Sequence, residues 1–208
     1  MLTIQTAMRF VQVTCALCLV AAPSNQPSIN AKSGVEAQTR YCKSVWEYTQ
    51  TNPPHRFFAE IENPSEEPGE NTKWQEFATK EDMEKDENHY TAAFVWLREG
   101  RVVAANFTIS DGSQDWFQYA DYCFDSRGRL AGIQEELRSF YGMIVARRRY
   151  SYDGKGKLLD KSETFMDLDN QKPKRPDEEF IDRELPTYLR VRKLPFASLL
   201  GKKRRSGH

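Results

Sequence analysis

The sequence of 208 residues predicts a mainly β (α+β) fold, an antiparallel β-meander of about six strands with one or two short N-terminal helices packed on it. A nine-residue phrase occurs three times, at 94–102, 122–130 and 150–158, and repetition at a fixed period of 28 residues indicates a repeated supersecondary unit. Around the phrases, apolar residues alternate with polar ones, as in half-buried strands. Hydrophobic residues make up 39% of the chain, which suffices for a core and excludes global disorder.

Each phrase predicts two strands joined by a tight turn. Tyr150 and Tyr152 stand two residues apart, so in a strand both side chains leave the same face. A type I turn favours aspartate at its first position and a glycine where the chain re-enters the strand with positive φ. The structural turn residues predicted in this way are Asp125, Asp153, Gly100, Gly128 and Gly156. In the first copy Leu97 replaces the aspartate, which weakens the turn signal.

Three periods supply about six strands between Tyr90 and Leu168, the repeat hairpins of residues 90–168. Equivalent strands of successive copies lie two strands apart, so one aliphatic strand fills the space between their aromatic pairs. In the strand after the first phrase, one face is expected to carry Val103, Ala105, Phe107 and Ile109. We interpret the aromatic face as part of the core; the alternative is a platform that binds a ligand.

The N-terminal residues 1–24 predict a secretory signal peptide. Arg9 is their only charged side chain, and the mostly apolar run at 10–22 is too short to span a bilayer. The alternative is a buried N-terminal helix. A signal peptide predicts a secreted or periplasmic protein without a transmembrane segment in the mature chain. Residues 25–40 are polar and small, and predict a disordered lead-in.

Removal of the signal peptide leaves Cys42 and Cys123 as the cysteines of the mature chain. In an oxidising compartment they are a candidate disulfide, which would contribute about 3–4 kcal/mol in the chain-entropy model. The alternative is two buried free thiols.

The remaining sequence predicts a single β-rich domain at 41–195 and a basic tail at 196–208. The domain begins with a short amphipathic helix from Tyr41, which Pro53-Pro54 stops, and a strand follows at 57–61. A capping box at 72–75 predicts a second helix that carries Trp74 over the sheet. Alternation at 188–193 predicts a last strand.

Residues with catalytic or ligand-binding potential are few. A Ser/His/Asp or Cys/His site would have to use His55 or His89. Glu135-Glu136 is a candidate carboxylate pair, and residues 167–170 begin like a calcium loop that 171–172 do not continue. Arg147-Arg148-Arg149 predicts paired surface arginines or an anion site. We expect no catalytic residue, cofactor or metal, and the balance of 30 basic and 30 acidic residues gives no reason to expect nucleic acid.

The phrase from Arg149 to Leu158 resembles the YD repeat of large bacterial secreted shell and toxin-delivery proteins, and MORN-type bacterial hairpin repeats. The resemblance covers about ten residues in each copy and implies a β-sheet scaffold without catalytic residues. The sequence therefore predicts an exported, non-enzymatic scaffold or binding module whose partner is a protein or a small apolar ligand. The alternatives are a secreted hydrolase with His55 or His89 as general base, and a carrier of an apolar ligand.

Overall fold

The computed structural model describes residues 29–61, 73–85, 89–110, 113–176 and 178–201. The elements in these residues are α1 (Ile29–Thr51), β1 (Arg56–Ile61), β2 (Lys73–Phe77), α2 (Lys80–Glu84), β3 (Thr91–Arg98), β4 (Arg101–Ser110), β5 (Trp116–Phe124), β6 (Leu130–Ser139), β7 (Ile144–Tyr152), β8 (Leu158–Asp167), α3 (Glu178–Ile181), a 3₁₀ helix (Val191–Lys193) and α4 (Ala197–Leu200). The expected signal peptide and the last seven residues of the basic tail lie outside the described residues.

The strands form one antiparallel sheet in the order β2-β1-β3-β4-β5-β6-β7-β8. From β3 to β8 each strand pairs with the next one along the chain, and β1 and β2 add a hairpin beside β3. The mainly β, antiparallel class is therefore confirmed. The expected number of about six strands is too low, because the described residues form eight.

Each side of the sheet is covered by a different part of the chain. α1 packs on one side, here called the helix face, around Val45, Trp96 and Cys123. Residues 178–200, here called the C-terminal segment, pack on the other side, the C-terminal face, where Phe196 is fully buried against Phe58. The core thus has two layers. Among the described residues, no helix has the length and apolar character needed to cross a bilayer.

α1 is longer than the sequence pattern predicts. It begins at Ile29, so residues 29–40 are helical and the disordered lead-in is wrong for them. Glu36, Ala37 and Gln38 are good helix formers, and they continue the helix that Tyr41 was expected to begin. The helix ends at Thr51, before the two prolines, as predicted.

A disulfide joins α1 to the sheet. Cys42 of α1 and Cys123 of β5 are bonded, with Cα atoms 5.6 Å apart and a sequence separation of 81 residues. Both cysteines are buried on the helix face.

The helix predicted around Trp74 is wrong. Residues 73–77 form β2, which pairs with β1, and the short helix α2 starts only after Thr79, whose hydroxyl accepts the amide of Asp82. Trp74, Phe77 and Ala78 have a helical spacing, but the pairing of residues 73–77 with β1 overrides it, and Trp74 and Phe77 then pack in different clusters on opposite faces of the sheet.

The C-terminal face is covered instead by residues for which a strand and a tail were predicted. The predicted last strand at 188–193 makes only an isolated bridge between Arg129 and Arg190, followed by the 3₁₀ helix. The predicted tail begins with Phe196, which is 0% exposed. Residues 196–201 therefore belong to the domain, since Phe196 stacks on Phe58 at 4.3 Å between ring centroids.

The three phrases form three hairpins, and their glycines all have positive φ: 72° at Gly100, 66° at Gly128 and 89° at Gly156. In the second and third hairpins the glycine amide donates to the carbonyl of the turn aspartate, at 2.9 Å to Asp125 and 3.0 Å to Asp153. These are the predicted type I turns with a glycine bulge.

The first hairpin has a different strand register at its turn, and its two aromatic residues lie on the opposite face of the sheet from those of the other hairpins. Phe124 pairs with Leu130 in the second hairpin, whereas Leu97, not Trp96, pairs with Val102 in the first. A one-residue offset moves side chains to the opposite face of the sheet. The aromatic residues of the first phrase, Phe94 and Trp96, therefore pack on the helix face, whereas those of the other two phrases pack on the C-terminal face.

The predicted shared face of β4 is also partly wrong. Ala105, Phe107 and Ile109 pack in the core of the C-terminal face, but Val103 packs under α1. Its position is close to the irregular register that begins between Trp96 and Leu97 of β3.

Candidate functional site

A cavity lies on the C-terminal face, between the sheet and the C-terminal segment. Its volume is about 280 Å³. Six of its lining residues are aromatic or aliphatic side chains: Trp74, Phe107, Ile109, Trp116, Tyr122 and Tyr188. Two prolines, Pro186 and Pro195, and the polar residues Glu60, Thr91, Gln118, Arg183 and Glu184 complete the lining. We call this space the aromatic cavity.

The aromatic rings of the cavity hold one another in place. Phe107 lies 5.3 Å from Tyr122, 5.5 Å from Tyr188 and 5.9 Å from Trp74, measured between ring centroids. Such distances are typical of favourable aromatic pairs. The guanidinium of Arg183 lies over the ring of Trp116 at 5.2 Å, where a cation interacts with the negative face of the ring. The cavity walls are therefore preformed.

Tyr122 ties the sheet to the C-terminal segment. Its hydroxyl donates a hydrogen bond to the carbonyl of Pro186. Burial is the largest cause that raises the pKa of Tyr122 far above its usual value, followed by the neighbouring Tyr188 and Glu135. The phenol therefore stays protonated at ordinary pH and serves as a hydrogen-bond donor.

Behind the cavity lies a buried polar network centred on Glu135, whose side chain is fully buried. Its carboxylate accepts hydrogen bonds from Gln118 (Nε2 to Oε1, 2.7 Å), Arg148 (Nη1 to Oε1, 3.1 Å) and Tyr150 (hydroxyl to Oε2, 3.4 Å). Burial, and next the negative charge of Glu135, raise the pKa of Tyr150. Because a buried charge is tolerated only when it is paired and hydrogen-bonded, these contacts are what keep Glu135 inside the sheet.

Two buried arginines fix the two ends of the C-terminal segment. Arg148 donates from Nη2 to the carbonyl of Ile181 at 3.0 Å and from Nε to Glu163. Arg56 binds the carboxylate of Glu76 through two hydrogen bonds of 2.7 Å and donates to the carbonyls of Leu199 and Leu200 at 2.8 Å. The cover of the aromatic cavity is thereby held from β7 at one end and from β1 at the other.

The histidines proposed for catalysis do not line the aromatic cavity. His55 is exposed, its Nδ1 accepts the amide of Leu97 at 3.3 Å, and its own amide donates to the carbonyl of Val95. The buried Nδ1 of His89 has no hydrogen-bond partner in the described part of the chain. Between described residues, neither imidazole has a hydrogen bond or an ion pair with a serine, a cysteine or a carboxylate.

The other candidate groups are separated by the alternation of the strands. Glu135 points to the C-terminal face, whereas Glu136 binds Arg138 and Arg147 on the helix face, so the two carboxylates form no catalytic pair. The three consecutive arginines divide in the same way: Arg148 is buried, and Arg147 and Arg149 are exposed on the helix face. Only Arg148 serves the C-terminal face.

The calcium-like loop is an ordinary turn. The carboxylate of Asp167 accepts the amides of Asp169 and Asn170 at 3.1 and 3.2 Å. In the described ranges, no cluster of three or more His, Cys, Asp or Glu side chains could hold a metal ion.

Sequence reasoning missed most of the cavity lining that comes from outside the repeats. The sequence pattern predicts Trp74 on a helix, Tyr188 in a last strand and Pro195 at the end of that strand, and it assigns no role to Arg183. Tyr188 and Pro195 are an aromatic residue and a proline in a largely polar stretch, which is a signal for a segment that covers a sheet. The partners of Tyr188 on the sheet, Phe107 and Tyr122, are distant in sequence, so the pattern alone does not connect them.

The comparisons with known proteins do not extend this description. No family model, no curated protein and no solved structure matches the chain. The assignment of a function therefore depends on the geometry of the site alone.

Proposed function

We propose that this protein is an exported, non-enzymatic binding module that holds a small, mainly apolar ligand in the aromatic cavity. The observation that carries the proposal is the lining, in which aromatic and aliphatic side chains surround a few polar groups. This is the usual composition of a small-molecule site. Export is inferred from the N-terminal sequence pattern, and the repeat resemblance, which stays a prediction, implies the same non-enzymatic character.

The volume and the polar groups restrict the ligand. A cavity of about 280 Å³ is at the lower limit of small-molecule sites, which favours a ligand of one or two rings. Gln118 is 1% exposed and donates from its amide nitrogen to Glu135, so the carbonyl oxygen of the same amide is the acceptor that this side chain offers to a ligand. A ligand with one hydrogen-bond donor satisfies that oxygen. The exposed residues Arg183 and Glu184 mark the opening, where a polar end of the ligand can remain in water.

The ionisable groups near the cavity support binding rather than catalysis. Tyr122 donates a hydrogen bond to a backbone carbonyl, and Glu135 accepts hydrogen bonds from three donors, so each is fixed in one hydrogen-bonded state. A general acid or base needs a pKa near the working pH and access to the substrate. The raised pKa of Tyr122 moves it away from that range.

The test is titration of the purified protein with 2-naphthol, a neutral two-ring probe with one O–H donor whose emission changes when it leaves water. We expect saturable binding, and we expect that Ile109→Trp weakens it at least about tenfold because the larger side chain fills the cavity. Leu158→Trp is the matched control, since Leu158 is 45% exposed and does not line the cavity. Equal binding by the parent and Ile109→Trp, with both variants folded, would overturn the proposal.

A further inference from the structure

The helix face carries a second concave surface, which the aromatic cavity does not use. Two depressions of about 510 and 590 Å³ share the residues Gln134, Arg149 and Ser162, so they form one continuous groove. The floor consists of outward side chains of β6, β7 and β8, and α1 forms one wall with Lys43, Trp46 and Gln50. We call this surface the polar groove.

The floor of the groove is an ordered array of side chains. The sheet register places Gln134 opposite Arg149 and Arg149 opposite Ser162, and the next row contains Glu136, Arg147 and Thr164. Side chains directly opposite on one face stand roughly 5 Å apart at Cβ, so the two rows present polar groups at short, regular intervals along the floor.

Several of these side chains form no hydrogen bond or ion pair with another described residue of the protein. Arg147 is bound to Glu136, with Nε 2.6 Å from Oε2. Arg149, by contrast, makes no ion pair or hydrogen bond with a described residue, and the same holds for the side chains of Gln134 and Ser162. An arginine supplies donors only, an amide supplies both donors and acceptors, and a hydroxyl supplies both. The groove therefore offers unused donors and acceptors side by side.

The charges in the groove cancel. Three basic and three acidic side chains line it on the helix face: Lys43, Arg147, Arg149, Glu47, Glu136 and Asp160. A surface without net charge gives no long-range attraction to a polyanion or a polycation. The half-buried ring of Trp46 adds an apolar surface at the wall.

We propose that the polar groove binds a neutral oligosaccharide. Each sugar hydroxyl both donates and accepts hydrogen bonds, which matches the mixed array on the floor, and the apolar face of a sugar ring can stack on an aromatic ring such as Trp46. Two joined depressions accommodate several sugar units rather than one. This site is on the opposite side of the sheet from the aromatic cavity, so it does not rest on the proposed function.

The experiment is an array of neutral and anionic oligosaccharides, from mono- to hexasaccharides, probed with the purified protein. We expect binding of neutral chains that strengthens with length and changes little with salt. Arg149→Ala and Gln134→Ala should each weaken binding about tenfold, because each removes hydrogen bonds to the ligand. Ser162→Trp should abolish it by filling the point where the two depressions meet. Arg127→Ala is the matched control, since Arg127 is exposed and outside the groove.

Three results would overturn the inference. One is the absence of binding to every neutral oligosaccharide. Another is binding only to anionic chains that disappears in about 0.15 M salt, which would indicate a general electrostatic surface. The third is unchanged binding in Arg149→Ala and Ser162→Trp. Binding of 2-naphthol should be normal in all three groove variants, so failure of this inference and failure of the aromatic cavity are distinguishable.

Discussion

The hairpin β3–β4 and the hairpins β5–β6 and β7–β8 come from the same nine-residue phrase, but they close with different turns. In β3–β4, Arg98 pairs with Arg101 around Glu99 and Gly100, which both have positive φ, as in a two-residue type I′ turn. In the other two, an aspartate opens a type I turn and the glycine forms a bulge. The turn of β3–β4 is one residue shorter, and its aromatic pair lies on the opposite face of the sheet from those of the other two hairpins.

The aspartates explain the longer turns. Oδ1 of Asp125 accepts the amides of Arg127 and Arg129 at 2.8 and 2.9 Å, and Oδ1 of Asp153 accepts the amides of Lys155 and Lys157 at 2.8 Å. Leu97 occupies the corresponding position of the first phrase and has no such acceptor. Its side chain instead packs against the core of the C-terminal face. The apolar Leu97 at this position is thus held by packing in the core, whereas Asp125 and Asp153 are held by hydrogen bonds to the amides of their own turns.

The consequence for the fold is the attachment of α1. Because β3–β4 turns its aromatic pair to the helix face, Trp96 can donate from Nε1 to the carbonyl of Asn52 at 2.8 Å, and Tyr48 donates to the carbonyl of Leu97 at 3.1 Å. The hairpin β5–β6 holds α1 through the disulfide between Cys42 and Cys123. The hairpin β3–β4 is therefore attached to α1 by hydrogen bonds and packing, whereas the hairpin β5–β6 is also attached by a covalent bond.

The largest effect is expected from removal of the covalent attachment. The double variant Cys42→Ala/Cys123→Ala should lose about 4 kcal/mol of unfolding free energy, since the disulfide closes a loop of 81 residues in the unfolded chain. Tyr48→Phe, which removes one hydrogen bond at the other hairpin, should lose only about 1 kcal/mol. Urea denaturation measures both, and thiol labelling of the unfolded, unreduced protein should find no free thiol. Two labelled thiols in the exported protein would show that the pair is not oxidised.

The next effect compares the three glycines. Gly156→Val should cost about 2 kcal/mol, because φ is 89° and an added Cβ would lie 3.1 Å from Leu189 of the C-terminal segment. Gly100→Val should cost about 1 kcal/mol, because φ is 72° but nothing lies within 4 Å of the added Cβ. Gly128→Val should fall between them, with Val191 at 3.5 Å. Denaturation midpoints give the ranking, and a Gly156→Val protein as stable as the parent would contradict the turn assignment.

The glycines also show how far the sequence determines this fold. The positive φ at all three positions follows from residue type and local turn chemistry, so the repeat alone predicts it. The face of Trp96 depends on the packing of Leu97 and on α1, which the repeat does not contain. The same limit applies to the aromatic cavity: Phe107 and Tyr122 follow from strand alternation, but Trp74 and Tyr188 reach them by tertiary contacts across 33 and 66 residues (107 − 74 and 188 − 122).

A smaller effect is expected from the turn aspartates. Asp125→Ala should lose about 1–2 kcal/mol, because its carboxylate accepts two amides and also binds the guanidinium of Arg129 at 2.8 Å in a partly solvent-screened position. Asp153→Ala should lose less, because Asp153 makes the same backbone contacts without an ion pair. Equal losses in the two variants would show that the ion pair with Arg129 contributes nothing. Arg127→Ala is the control for surface charge near the turn.

The smallest effect is a dependence on pH that only the aspartate hairpins should show. Burial raises the pKa of Asp125, but hydrogen bonds from the Arg129 amide and guanidinium and the Arg127 amide outweigh it and hold the pKa below its usual value. The Lys157 amide is the main cause of the lowered pKa of Asp153.

A folded-state pKa below the unfolded value of about 3.9 means that the carboxylate stabilises the protein above pH 4 and loses this contribution as the pH falls through the folded pKa. The difference in unfolding free energy between the parent and Asp125→Ala should therefore be constant from pH 7 to about 5 and shrink towards pH 2. The difference between the parent and Gly100→Val should not change over the same range, because steric strain does not titrate. A difference for Asp125→Ala that stays constant to pH 2 would mean that the turn depends on the shape of the side chain and not on its charge, and the contrast with Leu97 would then have to be explained by packing alone.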